Sequence, residues 1–149
     1  MRWRPFCAVA LVLFAASSVT AHEGASGVVK ERMVSMESMA TALKIITQRI
    51  KRKHDLESVK SNARSIAEGA ASMSTLFPPG TGQRPSEAKA QLWQNWADFE
   101  AKAQALATES GKLAALDTRD LKALNAQAMR VSDACGNCHE LYRAKQHQH

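Results

Sequence analysis

Aromatic residues are scarce in this chain of 149 residues: one Tyr, three Trp and four Phe. Beyond Trp3, which lies between Arg2 and Arg4 near the start, none is interleaved with Lys or Arg in the way that stacks on and neutralises a nucleic acid, which argues against that class of partner. Cysteine is scarcer, at three residues, and one of them lies near the start. That leaves too few for the disulfide framework of a small exported domain. No apolar run reaches the about 20 residues needed to cross a bilayer. No segment alternates apolar and polar residues as a half-buried strand would. Charge of neither sign dominates: the formal net charge is +6, and its one dense patch, Lys51-Arg52-Lys53, reads as a solvated helix end. No nucleophile stands with a general base, so the chain is not expected to be an enzyme.

What is present begins with an export signal. Arg2 and Arg4 form a basic n-region, residues 6–16 are an uninterrupted apolar and small run, and Val19 and Ala21 occupy the small-residue positions before a cut. Cleavage is expected between Ala21 and His22, leaving residues 22–149 as a single domain. The run is too short to serve as a membrane anchor. Cys7 is not a lipidation site, because the whole apolar run follows it. Loss of residues 1–21 removes two arginines and no acid, lowering the formal charge from +6 to +4. The expected location is a bacterial periplasm.

Four apolar stripes, stepping by three and four, fill the remainder. The first is Val29, Arg32, Met36, Met39, Leu43, Ile46 and Ile50. The second is Leu56, Val59, Ala63, Ile66, Ala70, Met73 and Phe77. The third is Leu92, Trp96, Phe99, Ala103, Leu106, Ser110 and Leu113. The fourth is Leu121, Leu124, Ala128, Val131, Cys135, Cys138 and Tyr142. Breakers separate them. Asp55 offers an N-cap to the second helix, and Pro78-Pro79-Gly80-Thr81-Gly82 is a loop. Arg84-Pro85 or Ser86 starts the third helix, with Glu87 in its first turn. Asp117 with Asp120 caps the fourth, and Gly111 leaves the third helix's end open. A near-heptad step on every stripe predicts an all-α fold, a four-helix bundle, and short links make it antiparallel, with the longer second link leaving the exact arrangement open.

Two departures from an apolar stripe carry the chemistry. Cys135 and Cys138 stand one turn apart on the inward face of the last helix, with His139 next. A structural zinc site needs four ligands, and His22, His54, His147 and His149 have no spacing that completes one. A catalytic dithiol sits at a helix N-terminus, where the thiol pKa falls; this pair lies deep in a helix. Covalent haem fits each element, with two thioethers from the cysteines and the imidazole as iron ligand. Arg32 on the first stripe either snorkels to water or meets a haem propionate, since an unpaired buried guanidinium is costly. Met36, one turn further along, can reach the iron from the other side, and Met/His ligation suits electron transfer. Met33 lies about 100° off the stripe, and Met39 is the fallback ligand.

At these residues the chain resembles the cytochrome c′ family, the class II c-type cytochromes. "CGNCHELYR" is similar to its C-x-x-C-H-x-x-[YF]-R, "KERMVSM" to its first-helix pattern, and "LFPPGTG" with "LWQNWADF" to its loop and third helix. The resemblance implies a four-helix bundle with one covalent haem c, held by Cys135 and Cys138 and ligated by His139. It also implies propionate or proximal-pocket roles for Arg32 and Arg143. Met36 falls at the distal position, as in the family's low-spin branch. The function implied is a monohaem carrier of single electrons that meets a redox partner protein in the periplasm. The alternative is binding of NO or CO at a five-coordinate iron. A third reading is copper binding by His22 or by His147 and His149. Both a monomer and a homodimer through the first two helices are open.

Overall fold

The computed structural model describes residues 24–145. The proposed signal segment, His22, His147 and His149 lie outside that range. Four long helices, α1 (Gly27–Arg52), α2 (Glu57–Ala71), α4 (Trp96–Ala115) and α5 (Leu121–Tyr142), make the bundle. A single turn, α3 (Gln91–Gln94), and a 3-10 turn at Met73–Leu76 punctuate the crossover between α2 and α4. No strand forms among the described residues beyond one isolated bridge, Ala88 to Arg143. None of the described helices is long and apolar enough to cross a membrane.

Helix packing runs in the cycle α1–α2–α4–α5, with no diagonal pair in contact among the described residues. The crossover joins the start of α1 to the ends of α2 and α5. At the far end, Thr118 Oγ1 donates to Glu57 Oε1 at 2.7 Å and joins the α4–α5 turn to α2. All neighbours are therefore antiparallel, as the short links between helices predicted. Every stripe residue is buried or half-buried, with Ile46, Ile66, Leu92, Phe99, Leu113 and Leu124 at the centre. Burial of this kind, at about 25 cal/mol per Å² of apolar surface, is what holds helices whose own propensities are marginal.

Three boundaries differ from the sequence reading, each for a local reason. Asp55 does not cap α2. Its backbone is left-handed at φ 52°, Leu56 takes the N-cap position, and the Asp55 carboxylate pairs with Arg49 at 3.5 Å. The third long helix begins at Trp96, ten residues after Ser86, because the preceding segment is used elsewhere. Lys89 N–H donates to Tyr142 O at 2.9 Å and Ala144 N–H to Glu87 O at 2.8 Å, so residues 87–89 strap the end of α5. Asp120 alone caps α5, accepting from Ala123 N–H at 2.9 Å, whereas Asp117 binds Arg119. Gly111 is helical, and α4 runs on to Ala115.

Ser110 is fully buried, and its hydroxyl is without a partner among the described residues. An unmet buried hydroxyl costs about 1–3 kcal/mol. Ser110→Ala is expected to stabilise the fold by about 1 kcal/mol, read as a higher urea midpoint. A lower midpoint would show that the hydroxyl has a partner after all.

Candidate functional site

The stripe logic brings Cys135, Cys138 and His139 to the inner side of α5's last turns, all half-buried. Both cysteines are free and pack on the core alongside Met36, Trp93 and Trp96. Burial raises the Cys135 thiol above its ordinary range. It pushes Cys138 up to about 11, with Lys102 opposing and Cys135 and Asp98 adding. These thiols are thus held protonated, the reverse of a nucleophilic dithiol. His139 is lowered, first by burial and then by the Arg143 charge, against a smaller opposing effect of Glu87. A neutral imidazole at pH 7 is the form that ligates a metal. Among the described residues no three His, Cys, Asp or Glu side chains converge to hold a metal ion by themselves.

Arg32 neither snorkels nor stands unpaired. It is 5% exposed and grips the crossover: Nε donates to Leu76 O at 2.9 Å, and Nη1 donates to Thr81 O at 3.2 Å and Ser86 Oγ at 2.8 Å. Nη2 donates to Thr81 Oγ1 at 2.7 Å, and the guanidinium lies 4.0 Å over the Phe77 ring. Four donors are occupied and one N–H on Nη2 remains. Desolvation lowers its pKa, yet a guanidinium stays charged. Arg143 is exposed, and its Nε donates to Glu87 Oε2 at 2.7 Å. The segment 86–88 therefore ties Arg32 of α1 and Arg143, the residue that follows α5, at one end of the bundle. Met36 and His139 each stand four residues inward of these ties, about 6 Å of helix rise.

The methionines separate. Met39 is buried, and its Sδ lies 2.9 Å from where a Cβ on Gly69 of α2 would stand, so its thioether fills the notch left by that glycine. Met36 is half-buried on the stripe and packs on the core. The α1–α5 seam is the most thinly packed of the four. Two thiols one turn apart, a neutral imidazole and a thin seam are a donor set that fits a covalently attached haem.

Several residues at this end escaped the sequence reading. Tyr142 OH donates to Asp98 Oδ2 at 2.5 Å, and that hydrogen bond holds the phenol up to about 12. Trp93 lies over Gly82, where a Cβ would come within 2.7 Å of the indole, and its Nε1 donates to Phe77 O at 2.9 Å. Asp98 and Glu87 sit off the stripes, and an isolated acid carries no signal of its partner.

The sequence model of the family described as Cytochrome C' matches residues 27–143. Cytochrome c-556 of Agrobacterium fabrum is 31% identical over 140 residues, covering 93% of this chain and 89% of its own. Cytochrome c′ from Thermochromatium tepidum superposes with a TM-score of 0.74 at 28% identity, over 85% of this chain and 98% of its own. A ferrous variant of cytochrome c prime from Alcaligenes xylosoxidans with bound NO superposes with a TM-score of 0.70 at 30% identity. It covers 80% of this chain and 94% of its own.

Proposed function

The chain belongs to the cytochrome c′ family, class II c-type cytochromes with one covalent haem c, and on that premise we propose that it carries single electrons in the periplasm. In this reading residues 1–21 are removed on export, and residues 22–149 form the working domain. Cys135 and Cys138 form the two thioethers, His139 is the proximal ligand and Met36 the distal one. When bound, the haem supplies the one-electron couple. The chain's own part is to hold both ligands still, so that little rearranges between oxidation states, and to exclude water with the aromatic end of the core.

The observation that carries the ligand assignment is the division of the methionines: Met39 is committed to Gly69, while Met36, half-buried and packed on the core, stands four residues inward of Arg32 as His139 does of Arg143. Arg32, with one N–H left, contributes mainly its positive charge to a propionate, and Arg143 acts from the other side of the tie. The partner is a periplasmic redox protein. An optical spectrum of oxidised and reduced protein tests this reading. It is expected to be low-spin, with the weak methionine-to-iron charge-transfer band in the oxidised form. The Alcaligenes xylosoxidans structure with bound NO favours a second reading, gas binding at an open sixth position. A high-spin ferrous spectrum with rapid NO uptake would decide for it and against Met36.

A further inference from the structure

All five aromatic residues beyond position 21, Phe77, Trp93, Trp96, Phe99 and Tyr142, gather at the end of the bundle that carries Cys138 and His139. Phe99 is the hub. Its ring centroid lies 4.9 Å from Phe77, 5.3 Å from Trp96 and 5.9 Å from Tyr142. Phe77, Phe99 and Tyr142 are buried, whereas Trp96 is half-buried and so within reach of solvent. Filling a core explains the phenylalanines. It does not explain a phenol at position 142. That side chain is 6% exposed, and its hydroxyl meets Asp98 Oδ2 at 2.5 Å, with Lys102 Nζ 3.5 Å from the other carboxylate oxygen. A phenylalanine would fill the same space, but it would leave the half-exposed Asp98 carboxylate without this donor.

A phenol loses an electron readily only if its proton leaves in the same step, and that requires a base already in hydrogen-bond reach. Asp98 is such a base, aligned in advance. We propose that Tyr142 and Asp98 form a proton-coupled redox site that supplies an electron when hydrogen peroxide reacts at the haem. This rests on the reading that the haem is attached at Cys138, one turn before Tyr142 on the same helix face.

The step balances as follows. Reduction of one hydrogen peroxide to two waters breaks the O–O bond and takes up two electrons and two protons. One electron comes from the reduced haem, the other from Tyr142, and both protons come from solvent. The phenolic proton of Tyr142 moves along its hydrogen bond to Asp98, leaving a neutral phenoxyl beside a neutral carboxylic acid. An electron from an external one-electron reductant then restores the phenol as Asp98, whose side chain is 51% exposed, returns the proton. The oxidant is thereby consumed without attack on the thioethers or on Met36.

The test is freeze-quench electron paramagnetic resonance on reduced, haem-loaded protein mixed with excess hydrogen peroxide. Met36→Ala is run beside the wild type, so that a sulfur on the iron does not mask the reaction. The chain has one tyrosine, so any tyrosyl signal is Tyr142. A tyrosyl radical is expected in Met36→Ala, and a weaker one in the wild type, where the Met36 sulfur competes with peroxide for the iron. It should vanish in Tyr142→Phe, which keeps the ring in the core, and fall at least about tenfold in Asp98→Asn, which keeps the shape but is no base. No tyrosyl signal in either parent protein, with covalent haem present in the optical spectrum, overturns the proposal and leaves the haem site standing. An undiminished signal in Asp98→Asn overturns the role of the carboxylate. Absence of haem absorption from the starting protein overturns the haem-site reading and this proposal together.

Discussion

Met36→Ala is expected to turn a low-spin spectrum into a high-spin one and to lower the midpoint potential. A thioether favours the ferrous state, and axial ligands across haem proteins span about 0.8 V. Loss of this one is expected to move the midpoint by on the order of 0.1 V. The control is Met39→Ala. Met39 is buried against Gly69, so its truncation opens a cavity and costs about 2–4 kcal/mol. Its spectrum should stay low-spin. Optical spectra with a redox titration separate the two variants. If Met36→Ala keeps the parent spectrum while Met39→Ala turns high-spin, the distal assignment moves one turn along α1. If both keep a high-spin spectrum that the parent already had, the iron has no methionine ligand and gas binding is the better reading.

How much of this could be read from residues alone depends on the range of the interaction. The four helices were legible because burial repeats: each stripe residue had to face inward to remove apolar surface from water, and each does. Cys135, Cys138 and His139 could be proposed as a haem-attachment site because their chemistry is local, two thiols and an imidazole within five consecutive residues. The start of the third helix was not. Ser86 and Glu87 look like a cap and a first-turn acid, and in a lone peptide they would be. In the fold, Ser86 Oγ accepts from Arg32 and the Glu87 carbonyl from Ala144 N–H, partners 54 and 57 residues away. Tertiary hydrogen bonds outcompeted the local cap. The same range hides the Tyr142–Asp98 pair, since a helix of stripes gives no register between an acid on α4 and a phenol on α5.

Arg32 carries the second large effect, and its partners define what it does. Arg32→Ala is expected to destabilise the fold by about 3 kcal/mol, measured by urea denaturation. Removing the guanidinium takes one donor each from Leu76 O, Thr81 O, Thr81 Oγ1 and Ser86 Oγ, the last of which keeps Ala88 N–H, and takes from Phe77 its stacked cation. A loss below about 1 kcal/mol would mean that water replaces these bonds and that the crossover does not depend on them. Arg32→Lys separates the residue's two proposed duties. Lysine keeps the charge, but one ammonium cannot span acceptors on Leu76, Thr81 and Ser86 as a fork of N–H groups does. If the positive charge acts on a propionate, Arg32→Lys loses most of the stability yet keeps the midpoint potential, while Arg32→Ala lowers both. If Arg32 serves only the crossover, both variants lose stability and neither moves the potential beyond what the strap itself transmits to His139. The buried cation has four neutral partners and no carboxylate among them, so its charge is unbalanced by the residues that hold it. That imbalance favours the first outcome, because an anion brought to this end of the bundle would meet a guanidinium already desolvated and fixed in place.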